Sequence, residues 1–319
     1  MKRSIFPLAL FAAALATLTP LAFGWYAGGH LIVTAAAAQA LPPEMPAFFR
    51  QGFGTIDATR ALMQYSVEPD GFKNHALPQL TATEGPEHYF DSELLQGHPL
   101  PATRAQYIKM CYALKLDPYR VGFLPYAIIE WTQRLEMAFA QSRHWPTDTA
   151  IQAQCLVYAG ILAHYAGDAT QPLHVTVDYD GRTDASGRSP HSGIHGRVDG
   201  ILQDLKLSPA QVASGVHPKD LGPLLPAILQ EIQTSYALVN QVYAMEPGFP
   251  RTATDEASPA VVAFAHERAR TAATFIASLY LTAWHDSAQV RLPRWQIKAH
   301  QDEAAIASRP ATSQPALHP

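Results

Sequence analysis

The 319-residue chain is 48% hydrophobic and only 16% charged, enough apolar material to bury a large core without a metal or disulfide to hold it folded, so a bound metal would serve function rather than folding. Its net charge of -4 offers no broad basic surface of the kind used to grip nucleic acid. A local cluster of cations would not show in that count, because it is taken over side chains alone.

The first residues, MKRSIFPLALFAAALATLTPLAFG, join a basic start at Lys2 and Arg3 to an apolar run, then Pro20 and the small residues Ala22 and Gly24. This is the pattern of a secretory signal peptide, with an uncleaved N-terminal anchor as the alternative. Cleavage after Gly24 makes Trp25 the first residue of a secreted or periplasmic protein, with a free α-amino group. No later apolar run is long enough to span a bilayer, so a soluble mature chain is expected.

Beyond the leader, Ala, Leu and Gln dominate, β-branched residues rarely cluster, and apolar positions recur at helical spacing, which predicts an all-α fold. Helices are expected near residues 29–41, 55–67, 102–116, 124–142, 148–170, 196–206, 217–245 and 256–288, joined by segments rich in Pro, Gly, Asp and Ser. The organisation expected is one domain over 25–301 and a disordered tail over 302–319, which ends AAIASRPATSQPALHP. Residues 175–194, VTVDYDGRTDASGRSPHSGI, form a long polar loop of the kind compact domains keep for a site. Cys111 and Cys155 sit in expected helices; a disulfide and two buried thiols are both compatible with that, and neither is assigned a function.

Four segments carry metal-ligating side chains. In WYAGGH, an N-terminal Trp25 would offer its α-amino nitrogen and carbonyl oxygen, with His30 on the next turn and two glycines allowing close backbone approach. EPDGFK and EGPEHYFDSE offer Asp70, just after an expected helix end, and His88 beside an aromatic run. In LAHYAGDATQPLH, His164 and Asp168 are four apart and share a helix face, Pro172 ends the helix, and His174 follows on the turn. In GIHGRVDGIL, His195 and Asp199 repeat the four-residue spacing. His191 with His195 is the alternative, disfavoured because His191 follows Pro190 in the loop and a carboxylate supplies charge.

Singly, each of these residues has an ordinary reading, and His75, His98 and His144, in similar polar loops, read as surface. Together, five His, three Asp and one N-terminal residue supply nitrogen and oxygen donors with no thiolate. That set suits Zn²⁺ in a catalytic site and exceeds what one ion takes.

The motifs WYAGGH, EHYFD, HYAGDATQPLH and the later His-x-x-x-Asp, in that order, resemble the superfamily of zinc-dependent phospholipases C and secreted single-strand-preferring nucleases with 3'-nucleotidase activity. GFLPYAIIEWTQRL resembles the helix preceding the central motif in that group. The resemblance runs from Trp25 to Asp199 and implies an all-α fold carrying a tri-zinc cluster that hydrolyses phosphodiesters. It implies one zinc on Asp70, His88, His164 and Asp168, a second on Trp25, His30 and a bridging Asp168, and a third on His174, His195 and Asp199. Asp199, where phospholipases usually have Glu, and the five-residue step from Trp25 to His30 are similar to the nuclease branch. So is Lys73, a cation three residues after Asp70; the resemblance implies that both act in catalysis, although a loop lysine also reads as plain solvent exposure. Two cysteines cannot supply the several disulfides of eukaryotic nucleases, which points to a bacterial-type member.

The expected substrate is single-stranded nucleic acid or nucleotides, with phospholipid head groups, or a non-catalytic zinc-binding role, as alternatives; no stable protein partner is implied. Tyr89, Phe90, Tyr165 and Tyr179 are candidate platforms for unstacked bases by proximity in sequence, though each reads first as core.

Overall fold

The computed structural model describes residues 25–308; the expected leader, and residues 309–319 of the expected tail, lie outside them. Within that span the chain is all-α. Helices α1 (Ala27–Gln39) and α2 (Ala47–Gln51) lead into a minimal antiparallel ribbon, β1 (Gly52–Phe53) against β2 (Ile56–Asp57), then α3 (Ala58–Tyr65), α4 (Glu68–Phe72) and α5 (Pro78–Glu84). Helices α6 (Arg104–Ala113) and α7 (Pro118–Val121) precede α8 (Leu124–His144) and α9 (Thr149–Asp168). After the polar loop follow α10 (Ile194–Asp204), α11 (Pro209–Ala213), α12 (Leu224–Tyr236), α13 (Val239–Met245), α14 (Pro259–Asp286) and α15 (Arg294–Ala307).

Helix α9 is the centre of the packing. The short connection 145–148 folds it back along α8, and α1, α3 and α14 cover its other sides. Every residue from Ala159 to Asp168 is buried, as expected of a helix that is apolar nearly all round. Gly160 shows how tightly α3 crosses it: a Cβ there would lie 2.3 Å from Tyr65 Cβ and 3.0 Å from the Leu62 carbonyl oxygen. At the start of α9, Asp148 Oδ1 accepts from the backbone N–H groups of Ala150 and Ile151, a side-chain cap. In such a helix His164 and Asp168 cannot be solvated, so each must find buried partners.

Several expectations from sequence are corrected. The helix expected over 55–67 begins only at Ala58, because positive φ at Gly52 and Gly54 turns the chain into the ribbon and Asp57 caps α3 by accepting from Arg60 N–H. Asp70 does not follow a helix end; it lies inside α4, a separate turn with Pro69 in its first turn, where no N–H is needed. The helix expected over 217–245 starts at Leu224, since Pro218, Gly222 and Pro223 cannot continue one, and it is split by a tight Leu238 N–H to Ser235 carbonyl bond. Residues 302–307, expected within a disordered tail, continue α15, helped by an ion pair one turn apart between Lys298 and Asp302 and by His300, whose ring stacks on Trp145 at 4.0 Å and meets Asp148 at 2.8 Å. Cys111 and Cys155 are both free, buried thiols.

Glu231 on α12 allows a stability test away from the site. Burial pushes its carboxyl up to about 7, against the attraction of Arg268. Below pH 4.5 both folded and unfolded states hold the proton; as pH rises from there to about 7 the unfolded chain releases it first, so stability is lost across that window and stays lost above it. Glu231→Gln is therefore expected to unfold in urea like the parent below pH 4.5 and to be more stable above pH 7, by roughly 1 to 3 kcal/mol at about 1.4 kcal/mol per pKa unit. Equal midpoints at both pH values would contradict it.

Candidate metal centre

The far end of α9 is where the segments meet. The chain leaves α9 through a 3₁₀ turn, Pro172–His174, which runs beside a second, Gly85–His88. The two are laced together: His174 Nδ1 lies 2.8 Å from the His88 carbonyl oxygen, and Phe90 N–H donates to the His174 carbonyl at 2.9 Å. Glu87, beside His88, is gripped by Arg104 of α6, which also reaches Glu130 of α8 at 2.8 Å. On the third side the polar loop is clasped onto α10 by Asp180, whose Oδ1 accepts from Gly193 N–H at 2.7 Å and His195 N–H at 3.2 Å.

Three groups of donor atoms result, each with its ligand atoms within 4.8 Å of one another: His30, His164 and Asp168; Asp70, His88 and His164; His174, His195 and Asp199. His164 belongs to the first two, and Asp168 lies beside both. Its Oδ2 lies 3.1 Å from His88 Nδ1 and 3.5 Å from His164 Nε2, whereas its Oδ1 lies 3.4 Å from His30 Nε2. Asp70 Oδ1 is 3.8 Å from His164 Nε2 and 2.7 Å from Lys73 Nζ. In the third group, His195 Nε2 is 3.3 Å from Asp199 Oδ2 and His174 Nε2 is 3.8 Å from its Oδ1.

Two of the rings have a tautomer dictated by their neighbours. His164 Nδ1 sits 2.8 Å from the Ser66 carbonyl and His174 Nδ1 faces that of His88; a carbonyl only accepts, so each Nδ1 carries the proton and each Nε2 lone pair points into the cluster. Both nitrogens of His30, Nε2 of His195 and Oδ1 of Asp168 are buried with no hydrogen-bond partner among the described residues. Orphaned buried polar atoms are rare and call for an explanation, and here they converge on one spot.

The electrostatics agree. Burial would push the Asp168 carboxyl up, but His164, His174, His30 and His88 hold it well below the usual carboxylate range. Burial of Asp70 is likewise outweighed, by His164 and Lys73. Burial, then His30, holds His164 well below the ordinary histidine value, and burial with His174 does the same to His195. Neutral imidazoles beside ionised carboxylates are the states a metal ion needs of its ligands. Two groups depart from this: against burial and Lys73, Asp168 and Glu84 push His88 above the ordinary histidine value, and burial holds the Asp199 carboxyl well above the usual range although Gln171 donates to it. The donor set thus fits divalent metal, with nitrogen and oxygen ligands and no thiolate.

Trp25 is fully buried. Its indole Nε1 donates to the Gly167 carbonyl at 3.1 Å, and Tyr26 N–H donates to the Asp199 carbonyl at 3.1 Å, which pins the main chain between α9 and α10. A Cβ on Gly167 would sit 3.2 Å from His30 Nδ1 and 3.7 Å from Trp25 Cδ1, so residues 25 and 30 both border the Asp168 end of α9.

Lys73 is buried rather than solvent-exposed, at 3% accessibility. His75, His98 and His144 are exposed, and His191 sits in the loop at positive φ, 3.5 Å from Asp180, outside the three groups. Among the aromatics, Phe90 and Tyr165 are core, Tyr89 bonds the Tyr119 carbonyl, and half-buried Tyr179 stands edge-on to His195 at 5.7 Å. Sequence reasoning missed Glu84, Gln171 and Asp180. Glu84 carried a legible signal, the same four-residue spacing to His88 that marks His164 and Asp168; Asp180 carried none.

No protein-family model matches the chain, and no curated protein matches it. Among solved structures it is similar to the alpha toxin from Clostridium absonum, at 12% identity, covering 86% of this chain and 67% of that one with a TM-score of 0.39. Likeness at that level decides nothing about the site, which stands on its own residues.

Proposed function

We propose that the chain is a secreted zinc-dependent phosphodiesterase that holds three zinc ions and cleaves single-stranded DNA or RNA, or nucleotides. The observation that carries this reading is Asp168, whose Oδ2 lies beside His88 and His164 and whose Oδ1 lies beside His30; a buried carboxylate so placed would be shared between two cations. Asp70, His88, His164 and Asp168 Oδ2 would hold the first ion. His30, Asp168 Oδ1 and the α-amino and carbonyl groups of Trp25, freed by cleavage after Gly24, would hold the second, and His174, His195 and Asp199 the third. Metal held by these residues would supply a lowered pKa to a bound water and positive charge against the phosphoryl oxygens of a diester.

The remaining work falls to the chain. Lys73, ion-paired to Asp70 and shielded from water, keeps a fixed cation at the edge of the cluster, where an anionic diester gains most from it. Gln171 donates to Asp199 while its carbonyl oxygen accepts from Leu173 N–H, holding one carboxylate oxygen so that the other faces His195. Tyr179 borders the third trio as a platform for an unstacked base. Nucleic acid is favoured over phospholipid by Asp199 in place of Glu, by the five-residue step from Trp25 to His30, and by Lys73, each similar to the nuclease branch. The charge balance removes the objection raised by an acidic chain, since three dications outweigh three aspartates.

The test incubates processed protein with single-stranded DNA and, separately, with phosphatidylcholine vesicles, after measuring bound metal. Nucleotide release and about three zinc ions per chain, with activity abolished by chelation, are expected. Phosphocholine without nucleotide product would move the reading to phospholipase C; a full metal complement with no hydrolysis would make this a zinc-binding protein.

A further inference from the structure

We propose that Tyr26 and Gln203 are positioning residues that clamp the first turn of α1 onto α10 and so place residue 25 and His30 against the cluster. The inference rests on the reading of Trp25 and His30 as ligands of one ion. Helix α1 has no cap of its own: its N-cap residue is Tyr26, whose side chain makes no capping bond. The start of a helix leaves backbone N–H groups without partners inside it, and here α10 supplies acceptors from across the fold. Tyr26 N–H donates to the Asp199 carbonyl at 3.1 Å, and Gly28 N–H donates to Gln203 Oε1 at 3.2 Å.

Helix α10 carries two neighbouring stripes. His195 and Asp199 form one, turned to the cluster; Gly196, Gly200 and Gln203, spaced four and three apart, form the other. The second stripe receives Tyr26. A Cβ on Gly196 would lie 2.7 Å from the Tyr26 hydroxyl oxygen, and one on Gly200 would lie 3.4 Å from two of its ring carbons, so the ring rests along a track of two glycines. Gly28 fits Gln203 as closely: a Cβ there would meet Oε1 at 2.5 Å and the Gln203 Cβ at 2.7 Å. On the inner side, a Cβ on Gly29 would stand 2.9 Å from that of Trp25, so the first turn of α1 bears on residue 25 itself. His30 closes the same turn. The clamp therefore sets residue 25 and His30 together, and it sets them relative to the helix that carries His195 and Asp199.

The test uses chains that begin at Trp25 and three variants: Tyr26→Ala, Tyr26→Phe and Gln203→Ala. Tyr26 is 37% exposed, so loss of its ring opens no hole in the core. In metal-free protein, amide hydrogen exchange is read by NMR at the contact each substitution leaves in place, at Gly28 in Tyr26→Ala and at Tyr26 in Gln203→Ala. Both amides are expected to exchange roughly tenfold faster than in the parent, or more. Competition with a chromophoric chelator is expected to show one zinc held roughly 10- to 100-fold more weakly in Tyr26→Ala and in Gln203→Ala, the other ions at parental affinity, and most of the loss recovered in Tyr26→Phe, which keeps the ring. Parental exchange at both amides, or parental affinity for every ion in both alanine variants with helical content intact, would overturn the inference. A parent that binds no zinc, or equal zinc in chains that begin at Trp25 and at Gly24, would instead sink the ligand reading, and exchange at the two amides would still decide the clamp.

Discussion

Asp168→Asn is expected to release two zinc ions rather than one, and to lower kcat by on the order of 10³-fold or more. The substitution keeps the size of the side chain and one acceptor oxygen but removes the charge and the symmetry by which Oδ2 addresses His88 and His164 while Oδ1 addresses His30. An ion in such a site stabilises the charge of the transition state by several kcal/mol, and each 1.36 kcal/mol is a factor of ten in rate. Substituting a residue of the third group, as in His195→Ala, should cost a single ion, which supplies the internal comparison. Metal counting on both variants, with circular dichroism to verify that the helices persist, decides it. Release of one ion from Asp168→Asn would argue that the carboxylate serves one metal and that His164, common to two donor groups, does the joining.

Retaining even one residue before Trp25 is expected to cost one zinc ion and most of the activity, roughly 10²-fold or more. The α-amino group is a ligand only when free; in a peptide bond its lone pair is delocalised and its proton retained. The indole anchored on Gly167 and the Tyr26 N–H bonded to Asp199 hold residue 25 against the cluster, so an extension could not relieve the loss by shifting the main chain without breaking both contacts. Comparing metal content in chains that begin at Trp25 and at Gly24 makes the measurement. Equal zinc in the two would remove Trp25 from the ligand set and leave the other donors standing.

Much of the cluster was legible from local spacing. His164 with Asp168 and His195 with Asp199 are pairs four apart on helices, and a helix carries such pairs onto one face whatever it packs against. The all-α class and the long helices α8, α9 and α14 were legible for the same reason, a 3.6-residue apolar period sustained over many turns. Short elements were not: α4, α5, α7 and the two-residue ribbon have too few residues for any period to show, and α4 is the one that carries Asp70. Lys73 was left between a site role and the solvent because three residues of spacing say nothing about depth; it lies buried against Asp70 because α4 packs on α9.

By itself the sequence determined which residues could be ligands and which of them travel as pairs, since both follow from side-chain chemistry and the geometry of one helix. Only the tertiary structure decided that the pairs meet, that the two oxygens of Asp168 lie against different histidines, and that the Ser66 and His88 carbonyls orient two of the rings from outside. Those facts depend on contacts between segments far apart in the chain, as Trp25 is from Gly167, 142 residues on, and no local period encodes a distance of that kind.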